Sequence, residues 1–469
     1  MAAGLTQVAT KGPHEFWFND DPRFSLFDKA YIQFEKFGID TIRLTEGASN
    51  VNFGNTMSLK FPKIGDFAIG ASIEWSLPAL TPTATGAVGT QEVSWIPKIG
   101  IFGIKKLQFE ASGTYFEEYT PEFIDIYSQY KYTGSKLCGY YEMIGQAVPS
   151  SWFADGKVIN FCDGPQVPSQ SKPAYNILTP LSISYFEQFD HSFPMINAMF
   201  TELKFNIEWR AAADCYILKD GTMTEPSLGD AKIYLDVTYL TQAGRARVMK
   251  FQPRIPYRYV QTGSEQIQEA NKQIKLSLNR PIYEIIFTTR EKTAAAAKQW
   301  DFYDRYTNNP EKIPMEQITS AKLITDSETR FDGRGRKFHN RYTPFKHHTG
   351  IPKSKNIHTI CFATDPENWR PTGFYNFSQV SDIKLDIVTT DISSGNPADF
   401  FYFGLCYMIM KTRKGFAGPA YVNSKKNSKL ALKRKKLFFF VDKIIIFINF
   451  INEKKYILEI ISLRTFLTI

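Results

Sequence analysis

The residues best equipped for chemistry are three histidines in one stretch, FHNRYTPFKHH, which carries His339, His347 and His348. Gathered imidazoles suggest a metal site, but such a site needs a carboxylate or further ligand at defined spacing, and none accompanies them. The stretch reads instead as a solvated basic loop. Just upstream, DGRGR (Asp332 to Arg336) offers glycines and cations, yet it lacks the strand, spacing and lysine of a phosphate-binding loop and reads as a turn. Asp66 in FPKIGDF has the form of a catalytic acid, although a Gly-Asp pair before a strand more often serves as turn chemistry. Asn376-Phe-Ser378 satisfies the N-glycosylation pattern, which is discounted because MAAGLTQVATKGPHEFWF has no basic start followed by an apolar core, and a cytosolic chain does not meet that machinery. Five cysteines (Cys138, Cys162, Cys215, Cys361, Cys406) are odd in number, scattered and without a C-x-x-C pair, so buried free thiols are expected rather than disulfides or a zinc site. No G-x-S-x-G, H-E-x-x-H or kinase-type set is present. Accordingly, no catalytic, cofactor-binding or metal residue is assigned, no cofactor is expected, and the chain is read as a non-enzyme.

The elements around these residues are strands. In LKFNIEWR, Leu203, Phe205, Ile207 and Trp209 share one face and Lys204, Asn206, Glu208 and Arg210 the other, the pattern of a half-buried strand. AKIYLDVTYL repeats it with Ile233, Leu235, Val237 and Tyr239, and IKLSLN (Ile274 to Asn279) does so again. In NWRPTGFYNFSQVSDIKLDI, Pro371 and Gly373 suit a reversal over Arg370 to Gly373, Asn376 and Ser378 can hold the loop through side-chain bonds to backbone, and Ile383, Leu385 and Ile387 then share a face. Such strands, with 25 prolines and 29 glycines spread along 469 residues, predict an all-β sandwich architecture. Short helices are expected at Glu122 to Tyr132, Ser264 to Lys272 and Arg290 to Tyr306. A first strand set ends near Phe251, a connector spans Pro253 to Gln268, and a second set runs from Ile274 to Tyr421. Glu291 to Lys355 reads as a long outward loop, and Val148 to Pro173 as a smaller excursion.

Charge sets the last segment apart. Lys425 to Ile469 holds eleven Lys or Arg against three acids, a net +8 of the chain's +9, so the remainder is close to neutral and has no global basic footprint for nucleic acid. This tail has no Gly or Pro and is rich in Lys, Ile, Phe, Leu and Asn, whose codons can be A+T-rich. Two readings fit it: translation past the usual end of the gene, or a membrane-touching amphipathic segment built on Leu437 to Val441 and Ile444 to Ile451. Asp442 and Lys443 interrupt the apolar run, which falls short of the roughly 20 residues of a spanning helix.

Motifs in order along the body resemble those of the major capsid proteins of nucleocytoplasmic large DNA viruses. DPRFSLFDKAYIQFEKF (Asp21 to Phe37), FPKIGDF, IKKLQFEASG, GYYEMIG (Gly139 to Gly145), the Pro180 to Trp209 block, LSLNRPIYEIIF (Leu276 to Phe287), the PTGFYNFSQ stretch and YMIMKTRKGFAGPAY (Tyr407 to Tyr421) each look like a family segment. Departures are Gln379 for the usual Arg, Phe67 for Leu and Arg280 for His. The resemblance implies two consecutive eight-stranded jelly-roll sandwiches with short helices in loops: residues 1–252 with an N-terminal arm, 253–424 with an exposed loop at 291–355, and a tail, 425–469, outside the fold. It further implies a structural protein whose partner is itself, as a homotrimer forming pseudo-hexagonal capsomers and then meeting neighbouring capsomers. Minor capsid proteins and the internal viral membrane are the other implied partners; no direct nucleic acid binding is expected. The expected location is the virion capsid, with assembly in the host cytoplasm. A minor capsid component would share the fold, and so would a jelly-roll binding protein or enzyme of lectin or cupin type, such as a carbohydrate-binding protein, which a bound metal would also mark. Abundance in particles or a bound sugar would separate these.

Overall fold

The computed structural model describes residues 9, 35–44, 51–84, 91–146, 165–250, 254–307, 309, 313–332 and 334–420. The N-terminal arm, Cys162, most of the excursion after Val148 and the whole 425–469 tail lie outside the described residues.

Eight strands build the first sandwich, beside two small two-stranded sheets (Glu92–Trp95 with Tyr216–Lys219, and Thr83–Ala84 with Gly221–Thr222): β1 (Phe37–Leu44), β2 (Thr56–Lys60), β3 (Phe67–Leu77), β4 (Ile104–Ala111), β5 (Thr114–Tyr119), β6 (Tyr175–Pro180), β7 (Leu203–Trp209) and β8 (Ala231–Leu240). They form two antiparallel sheets, β1-β8-β3-β6 and β2-β7-β4-β5. Eight more follow: β9 (Arg254–Ile267), β10 (Asn271–Lys275), β11 (Pro281–Glu291), β12 (Ile318–Thr325), β13 (Glu328–Arg330), β14 (His358–Cys361), β15 (Ile383–Thr389) and β16 (Ala398–Arg413). Their sheets run β9-β16-β11-β14 and β10-β15-β12-β13, with the short strands Tyr375–Asn376 and Phe416–Pro419 added to the first. Each set thus pairs its first, eighth, third and sixth strands in one sheet and its second, seventh, fourth and fifth in the other. Two sandwiches with one wiring make a double jelly roll.

Alternation builds each core. Leu203, Phe205, Ile207 and Trp209 are buried as expected, with Trp209 and Trp75 ring centroids 4.9 Å apart. In the second sandwich Ile274, Leu385, Phe287 and Phe400 share a separate core. β11 and β16 are buried on both faces: Ile282, Ile285 and Phe287 point into that second core, whereas Tyr283, Ile286, Phe403 and Leu405 join the core of the first sandwich. A near-continuous apolar run is what a strand covered on both sides requires.

Several expectations need correction. The helix expected over Ser264 to Lys272 and the connector over Pro253 to Gln268 are instead β9 running into β10, because β9 pairs with β16 without interruption from Arg254↔Lys411 to Ile267↔Ala398. Only Lys292–Ala296 of the Arg290 to Tyr306 stretch is helical, while the first expected helix appears as Pro121–Lys131. The 291–355 segment is not one exposed loop. It supplies β12, which lies between β15 and β13 and buries Ile318, Ala321 and Leu323. The chain bends at 368–370 rather than over Arg370 to Gly373. Side chains capture the backbone there: Asn368 Oδ1 accepts from Arg370 N at 3.0 Å, and Thr372 Oγ1 donates to Asp365 O at 2.9 Å.

Candidate functional site

The two sandwiches meet along a seam of buried ions and aromatic rings, and this seam gathers the groups whose chemistry is most altered. β5 of the first sandwich packs near β9 of the second, with Phe116 and Tyr257 rings 5.3 Å apart. Arg258 on β9 crosses over to both carboxylate oxygens of Glu187, at 3.3 Å through Nη1 and closer through Nη2. Its guanidinium lies 4.3 Å from the centre of the Tyr127 ring, and its Nε donates to the Tyr119 hydroxyl at 3.3 Å. Lys131 is the second cation on Glu187, 2.9 Å away. Burial opposes ionisation of Glu187, but Arg258 and Lys131 together hold its carboxyl below the usual range.

Beside this pair sits Glu117, fully buried on β5. Burial is the dominant influence and pushes it up to about 7, against the pull of Arg258 and of hydrogen bonds from Ser184 and Tyr119. A raised, buried carboxyl has the profile of a general acid. Access decides against that role, since the cavity next to Ser184, Glu187 and Arg258 holds about 20 Å³, room for one water. The arrangement locks two bodies together rather than receiving a substrate.

Farther along the seam, His348 bridges two carboxylates. Its Nε2 lies 2.7 Å from Glu284 Oε1 on β11 and its Nδ1 3.2 Å from Glu367 Oε1, while the ring packs 4.4 Å from Tyr130 of the helix Pro121–Lys131. Burial alone would lower its pKa; the two glutamates reverse this and carry it up to about 9. Lys98 with Asp125 (2.7 Å) and Arg290 with Glu122 (3.2 Å) add further buried pairs, the latter across the seam. On the outside, Trp369 stacks on His191 with centroids 4.9 Å apart and planes 6° apart, and its Nε1 donates to Asp190 at 2.9 Å. His191 Nε2 in turn meets Pro256 O at 2.5 Å.

The histidine stretch is therefore not a solvated loop. His339 and the side chain of His348 are buried, the first against Phe287, Phe331 and Phe338, and among the described residues no cluster with metal-binding composition occurs. His347 is outside this group, its Nδ1 3.1 Å from Thr364 O. Asp66 is buried and acts within the fold, accepting from Leu240 N at 2.7 Å and Arg245 Nε at 2.9 Å. Of DGRGR, Gly335 bridges to Ser320 beside β12, and Gly333 lies outside the described residues. Asn376 Oδ1 accepts from Ser378 N at 3.2 Å and Ser378 Oγ donates to Asn279 O at 2.7 Å, so the pair holds its loop as expected. Cys215 and Cys406 are buried free thiols, pushed up to about 12 by burial; Cys138 and Cys361 are free and half-buried. Sequence reasoning missed Arg258, Glu187, Glu117, Glu284 and His191. A signal existed only for Glu284, a lone acid inside the apolar run IYEIIF.

Two exposed apolar areas stand out on the surface. Outward residues Phe37 and Ile39 of β1 with Phe67 and Ile69 of β3 and Phe189 line a hollow of about 480 Å³, with Phe189 79% exposed. A second groove of about 670 Å³ runs beside Met199, Phe200, Arg245 and Met249. Patches of this kind on a folded surface mark contact with another body.

Comparison with known proteins places these features in context. Residues 25–243 match the family described as major capsid protein N-terminus, and residues 248–418 the family described as large eukaryotic DNA virus major capsid protein. The chain is 21% identical to the major capsid protein of Phaeocystis pouchetii virus, over 90% of this chain and 100% of that one. It is 20% identical to that of Rana tigrina ranavirus over 72% of this chain and 77% of the other. Among solved structures, the PBCV-1 virus capsid model matches with a TM-score of 0.69 at 15% identity, covering 85% of this chain and 100% of that one. The Faustovirus major capsid protein matches at 0.70 and 13% identity, covering 86% and 95%.

Proposed function

This chain belongs to the major capsid protein family of large eukaryotic DNA viruses, and from that premise we propose that three copies close into a pseudo-hexagonal capsomer of an icosahedral shell. A protein of this family is a structural component of the virion capsid and assembles with itself. One observation carries the finer reading: two sandwiches of identical strand order stand side by side on a buried, ion-paired seam. Three such chains present six similar sandwiches, which tile a shell as a hexagon would, and a closed ring satisfies surfaces a lone chain leaves exposed. The apolar hollow at Phe37, Ile39 and Phe189 is a surface such contacts would cover.

In this reading residues 1–252 and 253–424 are the two structural units and 425–469 lies outside them. The protein is not an enzyme and needs no cofactor. Minor capsid proteins and the internal viral membrane are its further partners, nucleic acid is not, and assembly takes place in host cytoplasm. The test is the solution mass of the purified chain, by light scattering, beside a chain ending at Asn423. A stable trimer from both is expected, and a monodisperse monomer from both would overturn the capsomer reading.

A further inference from the structure

At the turn that follows β16, cations and large apolar side chains share one face. Phe200 N donates to Gly415 O at 2.8 Å and the Phe200 and Phe416 rings stand 5.7 Å apart, so the turn after β16 rests on the loop before β7. Neither ring is covered: Phe200 is 65% and Phe416 59% exposed, and Met199 and Met249 beside them are exposed too. Exposed Lys60, Lys63 and Arg245 line the same groove, and exposed Lys250 follows Met249 in sequence while exposed Arg413 and Lys414 precede Gly415 and Phe416. Glu202 and Asp66 offset Lys60 and Arg245, but Lys63, Lys250, Arg413 and Lys414 have no ion pair among the described residues.

This face surrounds the turn at Lys414 and Gly415, and the last described strand, Phe416–Pro419, runs back from it along β16. Ala420 N there donates to Ile409 O at 2.7 Å, so the exposed rings and cations belong to the turn itself and not to the end of that strand. We infer that this face binds the surface of an anionic lipid bilayer. Phenylalanine and methionine on a basic rim suit the boundary between headgroups and acyl chains, where apolar groups enter and Lys or Arg stay at the phosphates. Each cation near an anionic leaflet adds to the attraction, within a Debye length. A nucleic acid would use the cations but would leave Met199, Met249 and the two rings without hydrocarbon to enter. The inference deepens the shell reading by assigning the membrane-facing end of the molecule.

The experiment is flotation of the full-length protein with phosphatidylcholine vesicles, with and without phosphatidylserine, at low and high salt. Recovery with anionic vesicles only, lost at high salt, is expected. Arg413→Glu with Lys414→Glu should lower that recovery by about tenfold or more, and Phe200→Ser with Phe416→Ser should lower it at unchanged charge. Thermal melting establishes that each variant is folded, and Phe189→Ser, on the separate apolar hollow, should float as the parent does. Equal recovery on neutral vesicles, or parental recovery by both face variants, overturns the inference. So does retention of double-stranded DNA in place of anionic vesicles. Loss of flotation by a protein that still forms trimers leaves the capsomer reading intact, so the two failures are distinguishable.

Discussion

His348 reaches across to Glu284 with Nε2 and Oε1 2.7 Å apart and both side chains fully buried. The imidazole comes from the C-cap of the short helix Thr343–His347, at the end of the histidine stretch, and the carboxylate from β11, so one charged contact fastens this segment to a core strand.

That contact sets an alkaline limit. The folded pKa of His348 is raised to about 9 from an unfolded 6.5, so the folded state binds the extra proton more tightly. Its stabilisation is complete below pH 6.5 and disappears as pH rises through about 9. Melting temperature measured from pH 6.5 to 10 should fall along this window. His348→Gln should start lower and lose most of the slope; an unchanged slope would rule His348 out as its source.

Glu117 adds a second slope with a neighbouring window. Its folded pKa is raised to about 7 from 4.5, so its contribution is complete below pH 4.5 and is lost as pH climbs through about 7. Glu117→Gln removes the titrating group while keeping the shape. Between pH 5 and 8 the variant should be flatter in melting temperature than the parent, and gain relative to it at pH 8.

Removing one member of the Arg258–Glu187 pair is expected to be severe. Arg258→Met leaves Glu187 buried with Lys131 alone, and uncompensated buried charges of this kind destabilise by about 3–5 kcal/mol. Replacing both, as Arg258→Met with Glu187→Leu, should recover much of that loss in urea unfolding. Arg258→Lys should not match the parent, because a lysine cannot form the fork or lie flat on Tyr127.

Gly263 on β9 is required for a close approach. A Cβ there would sit 2.1 Å from the Tyr402 ring on the opposing β16, whose hydroxyl accepts from Ser277 N. Gly263→Ala should therefore destabilise by about 1–3 kcal/mol, measurable by urea unfolding, although alanine is the better residue in most strands.

The sandwiches themselves were legible because their strands are half-buried and alternate. Leu203 to Trp209 and Ala231 to Leu240 declare their inner faces residue by residue. The seam was not legible in that way. Arg258 and Glu187 are 71 positions apart, and nothing local marks either as a partner. β9 was misread because its alternation mixes Arg, Tyr, Gln and Ser, residues that a surface strand and a polar connector share. β12 was hidden inside a polar stretch for the same reason. His348 follows a lysine and another histidine, which suggests solvent; only the fold brings Glu284 and Glu367 to it. The resemblance to capsid proteins carried the wiring and the function, which composition and periodicity left open between several sandwich proteins.

β1 opens at Phe37 opposite Leu240, Leu240 and Arg245 share Asp66, and Arg245 lines the groove against which Phe200 meets Gly415 near the last described strand. The start of the first strand and the turn that follows the sixteenth therefore lie at one end of the molecule. For protein engineering, a protease site placed before Phe37 and a fluorophore placed at Lys414 would report on the same side of an assembled particle, and cutting or quenching both together would reveal whether that side faces in or out.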